Sequence, residues 1–447
     1  MKKKDFISRE ITIGRQKIGG LHPVLLQSMT NTSTCDVAAT VEQIIRLSNV
    51  GCEMVRFSVP AMRDVRAVIE IKNLVRQKGI DMPLVADVHF QPAVAEALVG
   101  IVDKIRVNPG NYSTDNHEKN GKRTFNDSFE TMKEKARSLL QLCDRDGTAL
   151  RIGVNHGSLS HRIVERYGNG AEALCASAME WVKICQDFNF QNVVFSMKAS
   201  NVLVMIQATW LLAEQMRATG QCYPLHLGVT EAGSGLDGRV KSAAGIGALL
   251  LRGLGDTLRV SLTEKPENEI LFAKKMLQAI ETIDVEKYPL DTQGRLVYES
   301  EEQDREQWIA AAAALSGYYH STIGIRDIWI SNPFFSLKEC KLLANAILQA
   351  CRVKMSYTEI ISCPTCARTI YDLENAVEKV KRRFINYPGL KIAVMGCVVN
   401  GPGEMADADY GIVGSSKNKV VVYKGKERIS SNVSLEEALT ILETLIH

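Results

Sequence analysis

Residues 1–283 repeat one pattern of hydrophobic and polar positions. In each repeat a short apolar run is followed by a polar loop, and then by a segment with apolar residues at the i, i+3, i+4 and i+7 spacing of an amphipathic helix. The apolar runs cover residues 24–27, 54–59, 84–88, 104–107, 149–154, 192–196, 225–228 and 257–261. The helical segments include residues 37–48, 65–77, 129–142, 171–187, 202–217 and 238–251. This alternation predicts a parallel sheet covered by helices.

Eight β/α units within roughly 250 residues match the size and strand count of a (β/α)8 barrel. An open, doubly wound sheet is the alternative. A closed barrel is favoured because none of the eight units carries an antiparallel signature. We therefore predict an α/β fold in which residues 1–283 form a TIM-like, substrate-binding barrel.

Two regions of different character follow the barrel. Residues 284–356 open on a polar, turn-rich stretch, and their pattern predicts a connecting module of about one β/α unit. Its elements are a helix at 308–315, a strand at 325–330 and a helix at 337–349. Residues 357–447 predict a small α+β domain with two cysteine-bearing loops. Its helices lie at 373–384 and 434–446, and its strands lie at 359–361, 391–395, 410–413 and 420–423. Ser434 and Glu437 have the spacing of a capping box at the start of the last helix.

The composition narrows the class of protein. Of the 447 residues, 45% are hydrophobic and 23% are charged, which is typical of a globular protein and argues against disorder. No apolar run is long enough to span a membrane, and no apolar segment follows the basic start. The net charge of +3 is too small to indicate nucleic acid binding. We therefore expect a cytoplasmic protein that binds neither membrane nor nucleic acid.

The cysteines are the informative residue type. Their number, 11, is odd, so complete internal disulfide pairing is excluded, and a reducing compartment leaves thiols free or bound to metal. Cys363 and Cys366 form a C-x-x-C directly after the predicted strand 359–361, and Cys397 follows the strand 391–395. Three thiols on loops after strands can converge on one point. They could hold an iron–sulfur cluster or a zinc ion, form a redox disulfide, or remain inert.

The ligand count bears on the choice between these sites. Zinc and iron–sulfur clusters both take four ligands, so three cysteines leave one place for another donor. Glu404 is the candidate, because it ends a Gly-Pro-Gly turn whose small residues let the backbone approach a cluster. One oxygen ligand among three thiolates would make one iron accessible to substrate. The spacing favours an iron–sulfur site, while zinc, a redox disulfide and inert thiols stay open.

Polar residues lie within or just after the apolar runs, toward the C-terminal ends of the strands, where a barrel places its active site. Five cations at one rim repel each other unless an anion neutralises them, and guanidinium groups match phosphate oxygens. We therefore predict an anionic ligand. The polar residues at these ends are Arg56, Asp87, Arg106, Arg151, Asn155, Lys198, His226, Glu231, Arg259 and Ser261.

Residues 233–238 spell G-x-G-x-x-G, the letter pattern of a dinucleotide site. The pattern comes after the seventh predicted strand and not in an opening βαβ unit. This position favours a mobile loop at the barrel mouth over a nucleotide site.

The C-P-T-C-x-R stretch at 363–368, followed by G-C-V-V-N-G-P-G-E at 396–404, resembles the 4-hydroxy-3-methylbut-2-enyl diphosphate synthase family of the non-mevalonate isoprenoid pathway. The resemblance covers nearly the whole chain apart from residues 284–356. Further matching motifs lie at residues 55–60, 85–90, 106–111, 151–159, 196–200, 226–233 and 255–262. The family implies a TIM-like barrel joined to a small [4Fe–4S] domain. It also implies reductive ring opening and dehydroxylation of 2-C-methyl-D-erythritol 2,4-cyclodiphosphate to 4-hydroxy-3-methylbut-2-enyl diphosphate. Two electrons come from ferredoxin or flavodoxin.

The resemblance implies roles for individual residues. The cluster ligands would be Cys363, Cys366, Cys397 and Glu404, and the iron that Glu404 shares or releases would bind the substrate oxygen. The polar residues at the barrel mouth suggest a further hypothesis, in which the diphosphate is held by Arg56, Arg106, Arg151 and Lys198, with Asn155 and Ser261 in support. In the same hypothesis Asp87 and Glu231 handle hydroxyl groups or protons.

The connector departs from the family pattern. Short members run from barrel to cluster domain almost directly, and long plant- and chlamydia-type members insert a large third domain. Residues 284–356 are intermediate, as in a long-type enzyme with a much reduced insert. In short members the cluster domain of one subunit is expected to cap the other barrel of a homodimer. Capping within one chain or between two chains is therefore left open, as are a non-redox barrel enzyme with structural zinc and a non-enzymatic metal-binding module.

Overall fold

The structure is a computed structural model of one chain, and it describes residues 6–89, 91–112, 116–119, 122–125, 128–398, 405 and 408–446. For 116–119 and 122–125 only the backbone is described. The strands are β1 (Ile11–Ile13), β2 (Gln16–Ile18), β3 (Leu25–Met29), β4 (Met54–Ser58), β5 (Leu84–Asp87), β6 (Lys104–Val107), β7 (Asn116–Lys119), β8 (Lys122–Phe125), β9 (Ala149–Asn155), β10 (Val193–Lys198), β11 (His226–Leu227), β12 (Thr257–Leu258), β13 (Leu296–Glu299), β14 (Ile328–Ser331), β15 (Glu359–Ser362), β16 (Lys391–Met395), β17 (Tyr410–Ser416), β18 (Lys419–Lys424) and β19 (Glu427–Arg428).

The helices follow the same chain order. They are α1 (Val37–Asn49), α2 (Met62–Gln77), α3 (Pro92–Leu98), α4 (Pro109–Tyr112), α5 (Phe129–Asp146), α6 (His161–Tyr167), α7 (Ala171–Asp187), α8 (Val202–Ala218), α9 (Gly235–Ser242), α10 (Ala248–Leu251), α11 (Pro266–Thr282), α12 (Arg305–Ile323), α13 (Leu337–Ala350), α14 (Leu373–Phe384) and α15 (Leu435–Ile446). A π-helical turn, Ala243–Gly247, joins α9 to α10. No helix in the described ranges is both long and apolar enough to cross a membrane.

Eight parallel strands form a closed barrel, as the repeat predicts. Their order around the ring is β10-β9-β6-β5-β4-β3-β12-β11. A parallel bridge between Phe195 and Leu225 joins the last strand to the first, which excludes the open sheet. All eight predicted apolar runs contain or overlap a barrel strand, because a strand buried on both faces reads as continuous apolar sequence.

An antiparallel hairpin of β1 and β2 was not predicted from the sequence. Ile11, Ile13 and Ile18 from this hairpin pack against the first residues of the barrel strands, including Leu25 and Met54. The hairpin therefore plugs the N-terminal end of the barrel. Its strands have three residues each, too few for a period-two pattern to be recognised in the sequence.

The connector packs as part of the barrel wall. β13 and β14 form a parallel pair, and α12 lies between them in sequence. α12 is longer than predicted, since Asp304 accepts hydrogen bonds from the amides of Glu306 and Gln307 at its start. Its small residues press against the π-helical turn, and a Cβ added to Gly317 would lie 2.2 Å from the Ala244 carbonyl oxygen.

This contact predicts the effect of one methyl group. In an exposed helix, replacing glycine by alanine stabilises by about 1 kcal/mol. Because the Gly317 contact is with backbone that cannot yield, Gly317→Ala should instead lower the free energy of unfolding by about 1–3 kcal/mol in urea denaturation. Thr322→Ala, on the exposed end of the same helix, is the matched control. A more stable Gly317→Ala chain would contradict this packing.

The C-terminal region is a five-stranded sheet in the order β15-β16-β17-β18-β19. The first three strands are parallel and the last three antiparallel. α14 and α15 cover one face through Val377, Val380 and Leu439. The predicted capping box is confirmed, since Ser434 and Glu437 bond each other's backbone amides at 2.7 and 3.3 Å.

This sheet sits on the C-terminal mouth of the barrel of the same chain. Ala232, in the loop after β11, makes a parallel bridge with Ser362 at the end of β15. The Thr263 hydroxyl donates to the Cys363 carbonyl at 3.1 Å, and the Asn31 amide donates to the Thr365 hydroxyl at 3.1 Å. In this structure capping is therefore within one chain.

Candidate active site

A cavity of about 100 Å³ lies between the barrel mouth and the C-terminal sheet. It unites the predicted substrate residues with the predicted cysteine ligands. Glu404, the fourth predicted ligand, lies outside the described residues. The predicted residues that line the cavity are Arg56, Asp87, Arg106, Arg151, Asn155, Lys198, Glu231, Arg259, Ser261, Cys363, Cys366 and Cys397.

Strand register explains why residues distant in sequence converge here. Asp87 on β5 is the register partner of Arg106 on β6, and Arg106 is the partner of Arg151 on β9. Lys198, at the end of β10, lies opposite Asn155 at the end of β9. Because all barrel strands are parallel, their last residues form one ring at the mouth.

Asp87 is the central anion of the barrel side. It accepts a hydrogen bond from Arg106 at 3.1 Å, and it lies 3.5 Å from the Arg368 guanidinium of the C-terminal domain. Burial alone would raise the pKa of Asp87, but the attraction of His89 in its protonated form and of Arg56 and Arg106 outweighs burial and holds that pKa well below the usual value. Asp87 is therefore a carboxylate under all ordinary conditions.

His89 is neutral, because burial lowers its pKa to about 4 against the attraction of Asp87. The geometry agrees, since the Arg106 guanidinium can only donate and lies 2.9 Å from His89 Nε2, which must then be an acceptor. His89 and Arg368 were not among the residues predicted for the site. Both lie in matched motifs, and a cation two residues after a ligand cysteine was the available signal for Arg368.

The depressed pKa of His89 predicts a pH effect on stability. Below its ordinary pKa of about 6.5 the histidine of the unfolded chain gains a proton, while that of the folded chain does not. The free energy of unfolding therefore keeps its full value above that pH and falls on acidification toward pH 4. The wild-type free energy of unfolding should fall more steeply than that of His89→Asn, by up to about 1.4 kcal/mol per pH unit. Denaturation between pH 4 and 7 measures this slope. The exposed His161→Asn is the control, and parallel slopes for wild type and His89→Asn would contradict the assignment.

The barrel mouth holds more positive than negative charge. Arg259 is neutralised by Glu269, whose oxygens lie at 2.9 and 3.0 Å. Arg151 is 1% exposed, and its Nε and Nη1 atoms make no hydrogen bond with any described residue. Burial lowers the pKa of Arg151 and of Lys198 well below the usual values, and the neighbouring cations lower them further. Such a site favours a multiply charged anion.

Among the described residues, His226 is the predicted mouth residue that the structure places elsewhere. Its ring is 1% exposed inside the barrel, and Nδ1 lies 2.7 Å from the Thr257 hydroxyl. It does not line the cavity. His226 is the first residue of the two-residue strand β11, whereas Thr230 and Glu231, which come after this strand, line the cavity at the mouth.

Three cysteine thiols face the cavity from the C-terminal sheet. Cys363 follows β15 and accepts a hydrogen bond from the Gly396 amide at 3.2 Å, and Cys397 follows β16. Burial raises the pKa of Cys363 well above its usual value, and the neighbouring Cys366 adds to this. A bound metal cation would instead lower the pKa of the thiols and bind them as thiolates. Among the described residues, no group of three His, Cys, Asp or Glu side chains has metal-binding geometry.

The donor set still fits a metal–sulfur group. Three thiols converge on one cavity, and one already accepts a backbone N–H bond, the contact that stabilises cluster sulfurs. Arg368 lies beside Cys366, and its pKa is raised because the attraction of Cys366, Asp87 and Cys397 outweighs its burial. The cation can therefore offset the negative charge of a thiolate-bound cluster.

Barrel, cation-rich mouth and thiol-lined cap together define an oxidoreductase that acts on an anionic substrate. Comparison with known proteins specifies the family. Residues 8–274 match the GcpE TIM-barrel domain, and residues 359–447 match the GcpE protein C-terminal domain. The chain belongs to the 4-hydroxy-3-methylbut-2-en-1-yl diphosphate synthase family, which confirms the resemblance seen in its motifs.

Two relatives illustrate the match. The 4-hydroxy-3-methylbut-2-en-1-yl diphosphate synthase (flavodoxin) of Parabacteroides distasonis is 34% identical over 588 aligned positions, covering 97% of this chain and 96% of its own. The synthase (ferredoxin) of Prochlorococcus marinus subsp. pastoris is 39% identical over 445 positions, covering 98% and 92%. The first alignment is longer than this chain of 447 residues, so that relative carries segments absent here.

Among solved structures, dihydropteroate synthase from Stenotrophomonas maltophilia has 13% identity and a TM-score of 0.41. The match covers 62% of this chain and 100% of that chain.

Proposed function

We propose that this chain converts 2-C-methyl-D-erythritol 2,4-cyclodiphosphate to 4-hydroxy-3-methylbut-2-enyl diphosphate. The reaction consumes two electrons and two protons, opens the ring at a carbon–oxygen bond to phosphate, and releases one hydroxyl group as water. The observation that carries the proposal is the cavity that joins a cation-rich mouth to three thiols. The names of the relatives agree with the predicted reaction.

The cations of the mouth bind and orient the diphosphate. Arg56, Arg106, Arg151 and Lys198 supply guanidinium and ammonium donors from four strands of the barrel, and Asn155 and Ser261 add neutral polar contacts. The C-terminal sheet covers the cavity and excludes water from it. Each of these contacts is therefore stronger than it would be in water. The diphosphate is thereby fixed on the barrel side, with the carbon skeleton directed toward the thiols.

Asp87 and Glu231 serve the hydroxyl groups and protons. Asp87 stays ionised and can accept a hydrogen bond from a substrate hydroxyl. Glu231 has φ of 50°, an uncommon backbone conformation for a residue with a side chain, and it is 4% exposed between the cations and Cys363. Backbone strain of this kind is concentrated at functional sites. The position suits Glu231 to hold a proton near the oxygen that leaves.

Cys363, Cys366 and Cys397 would hold a [4Fe–4S] cluster, with Glu404 as the fourth ligand. When bound, the cluster supplies the electrons and a Lewis-acidic iron for the leaving oxygen. Residues 1–283 would form the barrel unit, residues 357–447 the cluster unit, and residues 284–356 the module between them. Ferredoxin or flavodoxin is the proposed electron donor, in the cytoplasm.

Anaerobic purification followed by assay tests the proposal. We expect a brown protein with about four irons per chain that converts the cyclodiphosphate when supplied with dithionite and a mediator dye. A colourless protein with one zinc would reject the cluster. A brown protein that leaves the cyclodiphosphate unchanged would reject the reaction.

A further inference from the structure

α9 carries two side chains of opposite charge toward the C-terminal domain. Asp237 and Lys241 are four residues apart, so they lie on one face of the helix. Lys241 Nζ lies 2.6 Å from Glu359 Oε1, at the first residue of β15. Both side chains are at most 5% exposed. A buried pair of this kind joins the barrel to the strand that leads to Cys363.

Two neighbours extend this contact. Arg352, at the end of the connector, lies 3.6 Å from the second oxygen of Glu359 and has φ of 54°. Asp237 accepts a hydrogen bond from the Tyr357 hydroxyl at 2.6 Å and pairs with Lys381 of α14 at 2.7 Å. Barrel, connector and cluster domain therefore meet at one group of complementary charges.

The same strand is held at its other end. Ser362 forms the bridge to Ala232 and a hydroxyl contact of 2.8 Å with Thr263. β15 is thus fixed to the barrel at its first and last residues, and Cys363 comes next. A shift of β15 along α9 would separate Glu359 from Lys241 and leave the buried carboxylate without its closest cation, which is strongly unfavourable.

We propose that the Lys241–Glu359–Arg352 group is an anchor that sets the position of the cysteine loops over the barrel mouth of the same chain. Lys241, Glu359 and Arg352 are positioning residues, because they do not line the cavity. Residues 235–238 begin α9, so the predicted loop over residues 233–238 is wrong for these four, and the anchor gives the segment a use other than nucleotide binding. Its glycines shape the turn into α9, where Gly233 has φ of +90° and a Cβ on Gly238 would lie 2.7 Å from the Gly233 carbonyl oxygen.

The anchor makes a prediction about which kinetic constant changes. The substrate-binding cations lie almost entirely on the barrel, whereas the thiols lie on the anchored domain. Lys241→Met should therefore lower kcat by about tenfold or more and change KM less, because orientation of the reacting groups is lost before diphosphate binding is. This kinetic measurement rests on the proposed function. It uses dithionite as the reductant, so that binding of an electron-donor protein does not affect the result.

The experiment compares three variants of the full chain purified anaerobically. Lys241→Met removes the charge, Lys241→Arg restores it, and Lys379→Met removes a lysine that pairs with Glu436 at the same 2.6 Å but within the cluster domain. Hydrogen exchange at residues 359–362, measured without substrate, is the readout that does not depend on activity. We expect faster exchange and lower kcat only in Lys241→Met, with iron content kept in all three.

The outcomes are distinct. Unchanged exchange and kcat in Lys241→Met would overturn the anchor, as would loss of iron in both Lys241 variants, since the group would then act in folding alone. A wild-type chain that does not convert the cyclodiphosphate would reject the proposed function, while the exchange measurement would still decide the anchor.

Discussion

Replacing Cys397 by serine should leave a chain that retains little iron and converts the cyclodiphosphate about a thousandfold more slowly, or not at all. Cys397 lines the cavity with Cys363 and Cys366, and no described cysteine of the barrel lines it to replace a missing thiolate. A serine hydroxyl is a far weaker ligand, because it remains protonated at neutral pH where a metal-bound thiol does not. Iron and sulfide analysis of anaerobically purified protein measures the first effect, and turnover with dithionite measures the second.

Cys222→Ser is the control for this substitution. Cys222 is a partly exposed cysteine on the barrel, and it does not line the cavity. The Cys222→Ser chain should keep its iron and its rate. Full iron content in Cys397→Ser would show that the three thiols do not act together, and the proposed ligand set would fail.

The barrel and the ring of charges at its mouth were predictable because their signals are local. An apolar run that includes Arg56, Arg106 or Arg151 marks both the strand and its charged residue within a few positions. Parallel packing then brings these positions together. The closing bridge between Phe195 and Leu225 follows from the same repeat.

Contacts that join distant parts of the chain left no such signal. Arg368 and Asp87 are 281 residues apart, and Lys241 and Glu359 are 118 apart. Nothing in the sequence around any of these residues specifies its partner. The location of His226 was missed for a different reason, since its strand has only two residues and its end cannot be found from an apolar run.

The connector, residues 284–356, also has a structural role. α12 packs along the barrel wall, and Arg352 at the end of the connector lies near Glu359 in the C-terminal domain. The connector therefore delivers β15 to the mouth of its own barrel. The Parabacteroides distasonis relative, which aligns over 588 positions, carries additional segments, yet this chain assembles the described part of the cavity without them.

Replacing Arg151 by methionine should make the substrate-free chain more stable and the enzyme much less active. The Arg151 guanidinium is buried among other cations, and two of its nitrogens have no hydrogen-bond partner in the described part of the chain. Methionine has a similar length and no charge, so the substitution removes repulsion and unsatisfied donors. We expect the free energy of unfolding without substrate to rise by about 1–4 kcal/mol.

The same substitution should reduce kcat/KM by about a hundredfold or more, since a charged contact to phosphate in a covered site is lost. Substrate should also raise the melting temperature of wild type more than that of Arg151→Met, because ligand binding stabilises the folded chain according to its affinity. Arg137→Met, on the exposed face of α5, is the matched control and should change neither quantity appreciably. A destabilised Arg151→Met chain with normal kinetics would mean that Arg151 is a structural residue and that the diphosphate binds elsewhere. A preformed anion site requires that the substitution raise the free energy of unfolding and lower kcat/KM, because the cations of the site repel each other until the substrate binds.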